Sequence, residues 1–151
     1  MSDTPGARGR VLRFTKASMV ATDVGFLVYW AVTLLALIPA EYAYKDYLNP
    51  VLSDWNYSFV LLDVLASVTG LTALRLGRCG SAGTAGQAQP LMLLSLALTS
   101  TAGLQAVAFW ALRGDFSPAW WLPNLFLLLF PIPGIVTLVR APGAGPSAGR
   151  S

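Results

Sequence analysis

The chain has no histidine and a single cysteine, Cys79. A disulfide within the chain is therefore excluded, as are a Cys/His metal site and a paired-cysteine redox relay. Charge is scarce too. Only 11 % of the 151 residues are charged, where a soluble domain carries about a quarter. With a hydrophobic fraction of 55 %, the chain could not cover its surface with polar groups in water. It offers no glycine-rich nucleotide loop, metal cluster or nucleophile triad. Any catalysis is thereby narrowed to acid–base chemistry, and no cofactor is expected.

What the chain does have is four long apolar stretches, about Ala17–Pro39, Tyr57–Leu74, Pro90–Leu112 and Pro118–Val139. Each is close to the ~20 residues that cross ~30 Å of hydrocarbon as a helix. Lipid offers the backbone no hydrogen-bond partners, so such stretches must be helical. The expected fold is all-α, an integral membrane four-helix bundle of up-down-up-down connectivity. It forms one transmembrane domain over residues 1–151. Residues 1–9 and 142–151 read as disordered tails. Residues 79–89, rich in Gly, Ala and Ser, read as a flexible linker between two hairpins. The N-terminus has the basic-then-apolar look of a signal peptide, but its length, Asp23 and Trp30 favour an uncleaved first span.

The net charge is +3, and its placement matters more than its sum. Arg8, Arg10, Arg13 and Lys16 precede the first span, Arg75 and Arg78 follow the second, and Arg140 and Arg150 follow the fourth. The alternate loops hold Lys45 and Arg113 against Glu41, Asp46, Asp54 and Asp115. The positive-inside rule then places both termini and the central loop in the cytoplasm, in a multi-pass protein of the inner membrane. This topogenic role accounts for the bases without a nucleic-acid partner. In the first outer loop, Glu41 and Lys45 are spaced for an i,i+4 pair on a short helix that Asn49–Pro50 would break. Arg113 and Asp115 suggest a surface ion pair. Pro131 and Pro133 predict a kink in the fourth span.

Only two carboxylates lie inside the apolar stretches, Asp23 and Asp63. An ionisable group at membrane depth is costly and marks a functional site by default. Asn56, Val60, Asp63, Ser67 and Gly70 fall on one helical face, polar or small, that should look into the bundle. Asp23, Phe26, Trp30 and Thr33 share a face of the first span. The two carboxylates then differ by roughly 12 Å in depth and form no close dyad. Lys16 or Arg75 is within reach of Asp23, which favours a structural role for it.

Ser95, Thr99, Ala102 and Ala106 make a small-residue stripe suited to close packing. Gln105, beside it, is a candidate partner for Asp63. The outer half gathers Glu41, Asn56, Asp63, Gln105, Trp110 and Asn124. A neutral Asp63 there would be a general acid facing aromatic walls, and aromatic faces stabilise cations. That combination suits proton-initiated chemistry on a greasy alkene or epoxide. The candidate catalytic groups are Asp63, Glu41 and Asp23. Trp30, Asn56, Gln105, Trp110 and Asn124 are the candidate substrate contacts. A core Asp63 held by Asn and Gln, with no chemistry, gives the same pattern.

The strings Thr22-Asp23, Gly25-Phe26, Tyr29-Trp30, Ile38-Pro39, Glu41, Lys45-Asp46-Tyr47 and Asn49-Pro50 form a recognisable first half. Trp55-Asn56-Tyr57-Ser58-Phe59, Leu62-Asp63, Thr69-Gly70-Leu71, Phe109-Trp110, Arg113, Asp115-Phe116, Trp120-Trp121 and Pro123-Asn124-Leu125-Phe126 continue it. Together they resemble the YvaD-like family of small four-span bacterial membrane proteins, over nearly all of the chain outside the tails and linker. The resemblance implies the architecture and names no substrate. In size, topology and acid-plus-aromatic content the chain is also similar to small membrane-bound terpene cyclases, without an alignable motif.

Three functions follow as expectations. The first is a cofactor-free cyclase or isomerase of a lipophilic isoprenoid, held in the lipid bilayer. The second is a small proton or cation transporter subunit, which as a narrow bundle calls for an oligomer. The third is a non-catalytic membrane partner protein.

Overall fold

A computed structural model describes residues 5–79 and 82–140. Helix α1 runs Pro5–Leu34, and the one-turn α2 covers Ala40–Ala43. Helices α3 (Pro50–Tyr57) and α4 (Phe59–Cys79) form the second span, and α5 (Ala82–Leu112) the third. Helices α6 (Pro118–Leu129) and α7 (Pro131–Val139) form the fourth. The expected all-α, four-span architecture is borne out. The chain is a multi-pass membrane protein whose four helical stretches are each long and apolar enough to cross a bilayer. Their outward faces are greasy, as Val28, Leu61, Leu65, Leu104 and Leu122 illustrate.

The helices extend beyond the apolar runs. Residues 5–9, expected in a tail, begin α1, and residues 82–89, expected in the linker, begin α5. Ala, Arg and Gln in these stretches are good helix formers, and a helix already nucleated in lipid propagates through them despite the roughly 1 kcal/mol that each intervening glycine costs. The Gln89 amide also donates to the Leu138 carbonyl at 3.0 Å, meeting an orphan acceptor at the end of α7. Residues 1–4, 80–81 and 142–151 of the expected tails and linker lie outside the described residues.

Asn49–Pro50 opens a helix as well as closing a loop. The Asn49 Oδ1 accepts from the Val51 and Leu52 amides at 3.0 and 3.3 Å, and Pro50 sits where a missing N–H is harmless. The second span therefore starts a full two turns before the expected Tyr57. In the fourth span, Pro131 and Pro133 remove the donors that would reach Leu127 and Leu129, and the helix is interrupted at Phe130.

Sequential packing closes the bundle at one end only. Helix α1 packs on α4, α4 on α5, and α5 on both α6 and α7. Helix α7 returns to α1, whereas α6 makes no comparable contact with it. The closed end holds the apolar core of Met19, Ala73, Met92, Leu96, Phe130 and Leu138. There Gly134 lets α7 lie on Thr15, whose Oγ1 would be 2.9 Å from any added Cβ. Gly103 brings α5 against the α6 backbone at Asn124 and Leu128. The gap between α1 and α6 is what creates a cavity.

Candidate functional site

The cavity measures about 240 Å³ and lies among α1, α3, α4, α5 and α6 at the end carrying the α1–α3 and α5–α6 loops. Its walls are rich in aromatic side chains: Phe26, Tyr29 and Trp30 from α1, Trp55 from α3, Phe59 from α4, Trp110 from α5 and Trp120 from α6. Tyr44 and Lys45 close it from the first loop. Asp63 is its buried carboxyl, 5 % exposed.

Trp30 positions that carboxyl. Its Nε1–H donates to Asp63 Oδ2 at 2.8 Å, and both side chains are buried. The ring is held by Tyr29, edge-on at 4.8 Å, and by Tyr57 at 6.1 Å. Asp63 Oδ1 is buried and has no hydrogen-bond partner among the described residues. One oxygen of the carboxyl is thus fixed and the other is unengaged. A half-satisfied buried carboxyl is unusual, because unpaired polar atoms in a dry site cost free energy.

Of the residues expected to matter, Asp63, Trp30, Asn56, Trp110 and Asn124 all line the cavity. Asn56 donates to Tyr29 Oη at 3.4 Å rather than to Asp63, and Tyr29 Oη donates onward to the Ala43 carbonyl at 3.1 Å. Asn124 donates to the Trp120 carbonyl at 2.7 Å.

Three expected residues lie elsewhere. Gln105 is exposed on α5, because Ala102 and Ala106 take the inward face that close packing with neighbours requires. Glu41 is exposed on α2 and does not line the cavity. Asp23 is buried one level deeper, beside Gly70 and Ser95. Gly70 lies seven residues past Asp63 on α4, about 10 Å along the axis, so the two carboxyls form no dyad. Neither Lys16 nor Arg75 pairs with Asp23, whose two oxygens have no hydrogen-bond partner among the described residues.

The loop pairing also departs from the local expectation. Helix α2 ends after one turn and Tyr44 is extended (φ −155°, ψ 161°), which carries Lys45 away from Glu41. Lys45 pairs instead with Asp115 in the α5–α6 loop, and its Nζ stands 5.0 Å from the centre of the Trp110 ring. Arg113, freed from Asp115, lies over Phe109 at 5.7 Å. The Lys45 ammonium, followed by the Ser117 amide, holds the Asp115 carboxyl below the usual carboxylate range. Tyr29, Tyr44, Lys45 and Trp55 were not singled out as site residues from the sequence. For Tyr29, Tyr44 and Trp55 aromatic character was the available signal, but a membrane-interface belt has the same composition. Among the described residues no three His, Cys, Asp or Glu side chains gather where they could share a metal ion.

The family profile of DUF5360, described as a family of unknown function, matches residues 15–143. The chain is 42 % identical over 121 residues to "Uncharacterized protein YvaD" of Bacillus subtilis (strain 168). That alignment covers 80 % of this chain and 88 % of the relative. No solved structure matches.

Proposed function

The chain belongs to the DUF5360 family, and from that premise and the geometry of its cavity we propose that it is a membrane-embedded acid catalyst, a proton-initiated cyclase or isomerase of a lipophilic isoprenoid. The observation that supports this reading is the asymmetry of Asp63. Its Oδ2 is anchored by the Trp30 indole, its Oδ1 has no partner among the described residues, and the side chain lines a cavity rich in aromatic side chains.

In this reading Asp63 carries a proton as the neutral acid. The proton passes to one carbon of a prenyl double bond, forming a C–H bond and leaving a carbocation and the Asp63 carboxylate. The faces of Trp30, Trp55 and Trp110 stabilise the cation. The Trp30 N–H stabilises the carboxylate that forms beside it. Loss of a proton from a neighbouring carbon to Asp63 restores the acid and releases an isomer. A ring closure before that loss gives a cyclised isomer. The cycle balances without a co-reactant. The cavity is below the ~300–1,000 Å³ usual for drug-sized ligands, and suits the reacting end of a prenyl chain.

Orientation and location complete the proposal. The basic end, with Arg8, Arg10, Arg13, Lys16, Arg75, Arg78 and Arg140, faces the cytoplasm, and the cavity end faces outward across the inner membrane. The test is to supply membranes containing the chain with farnesol, geranylgeraniol and their epoxides, and to look for isomeric products by mass spectrometry. An isomer formed by the wild type but not by Asp63→Asn supports the reading.

A second reading, passage of protons or cations, is favoured by one observation. Asp23 is 1 % exposed, with both oxygens unpartnered among the described residues, below Asp63 on the bundle axis. In that case proton-driven flux in liposomes vanishes on Asp23→Asn.

A further inference from the structure

The mouth of the cavity holds a positive charge of the chain's own. The Lys45 side chain belongs to the cavity lining, its ammonium pairs with Asp115, and the same ammonium lies over the Trp110 ring. A carboxylate and an indole face converging on one ammonium are the elements by which proteins recognise amines and quaternary ammonium ions. The same cavity is also lined by Phe26, Leu52, Phe59, Leu127 and Asp63.

The surroundings carry the same sign preference. The loop end bears Glu41, Asp46, Asp54 and Asp115 against Lys45 and Arg113. Arg113 is already engaged over Phe109. A rim with more carboxylates than cations draws in positive ligands and repels negative ones. The Lys45–Asp115 pair is also exchangeable. Its side chains are 29 % and 30 % exposed, and ion pairs this open contribute little. Lys45 sits on a non-helical segment between α2 and α3, so its side chain can leave without unwinding a span.

We propose that Asp115 and the Trp110 face form an ammonium subsite at the cavity mouth, with Lys45 as its tethered occupant, and that an amphiphile with an ammonium head and an apolar chain displaces Lys45. The head takes the place of the lysine ammonium, and the chain enters among the aromatic walls. This subsite shares the Trp110 ring with the acid chemistry proposed for Asp63, but its anchor, Asp115, has no part in that chemistry.

The test measures binding of octyltrimethylammonium to the full chain in phosphatidylglycerol nanodiscs by tryptophan fluorescence, with empty nanodiscs giving the partition background. Its uncharged isostere, 2,2-dimethyldecane, and the anion decanoate serve as comparison ligands. Lys45→Ala removes the competitor and should tighten binding of the ammonium by about fivefold or more, with no gain for the other two ligands. Adding Asp115→Asn to Lys45→Ala should erase the gain. Both positions are loop residues, and Lys45→Gln provides a second variant of the same meaning. Unchanged or weaker binding in both Lys45 variants, or an equal gain for 2,2-dimethyldecane, would overturn the proposal.

Two sources of the head group separate in the same experiment. If bilayer lipid is the natural occupant, phosphatidylcholine nanodiscs reduce the Lys45→Ala gain by competition. If a free amine is, the gain survives. Asp63→Asn should retain the ammonium response, and a wild type that makes no isoprenoid isomer but binds the probe loses the catalytic reading and keeps this one.

Discussion

The indole N–H of Trp30 and the Oδ2 of Asp63 meet at 2.8 Å across two spans, thirty-three residues apart in sequence. This bond ties α1 to α4 at the point where α6 has left α1, and it leaves the second oxygen of the carboxyl unengaged. Replacing Trp30 by Phe keeps a ring and removes the donor. Both Asp63 oxygens are then unpartnered in a buried site. A loss of about 1–3 kcal/mol in stability is expected. Thermal unfolding in detergent reads it, and an unchanged midpoint would mean the bond contributes nothing.

Helix approach at the glycines gives a second test. A Cβ at Gly103 would lie 2.6 Å from the Asn124 carbonyl oxygen and still closer to the Leu128 amide, backbone atoms that cannot rotate away. Gly103→Ala should cost about 1–3 kcal/mol through overpacking. Gly25, on α1, has nothing within 4 Å of the same construction. Gly25→Ala should be neutral or stabilise by up to about 1 kcal/mol. Comparable losses at both sites would contradict the packing described.

Titration of Asp115 has a defined sign. Its folded pKa is lowered by Lys45 and the Ser117 amide. The pairing therefore contributes fully above the ordinary Asp value of about 3.9, and is lost as pH falls through the lowered value. A carboxyl ¹³C titration of the loop should show Asp115 titrating below an ordinary Asp, with an upward shift of its pKa in Lys45→Ala. About 1 M salt should shrink that difference. An Asp115 that titrates identically with and without Lys45 would dissolve the pair.

Orientation is accessible through Cys79, a free and exposed cysteine at the end of α4. A membrane-impermeant maleimide should leave it unlabelled in intact cells and label it in inverted vesicles. Labelling of intact cells would reverse the assigned direction of the bundle.

The sequence carried the inward faces well where polarity and helical period coincide. Asp63, Ser67 and Gly70 recur on one side of α4, and all three are buried. Ser95, Thr99, Ala102 and Ala106 did the same on α5. Gln105 misled because polarity in a span reads as an inward signal. Adjacent residues on a helix differ by about 100°, and the bundle turned its smallest side chains, Ala102 and Ala106, inward. Lys45 misled for another reason. The i,i+4 rule sees only local helix, while its partner Asp115 is seventy residues away and is reached because α2 ends at Ala43. Tyr29 comes from α1 and Tyr44 from the loop after α2, and their meeting in one cavity is a feature of tertiary packing that periodicity along one helix does not encode.

Asp63 as the proton donor stands or falls on one comparison. Membranes holding equal amounts of folded wild type and Asp63→Asn are given the same prenyl alcohols and epoxides, and isomeric products are counted by mass spectrometry. If Asp63 is the acid, product forms with the wild type and falls to the level of empty membranes with Asn at 63. Equal turnover by the two proteins would remove Asp63 from the chemistry, and absence of product from both would remove the catalysis itself.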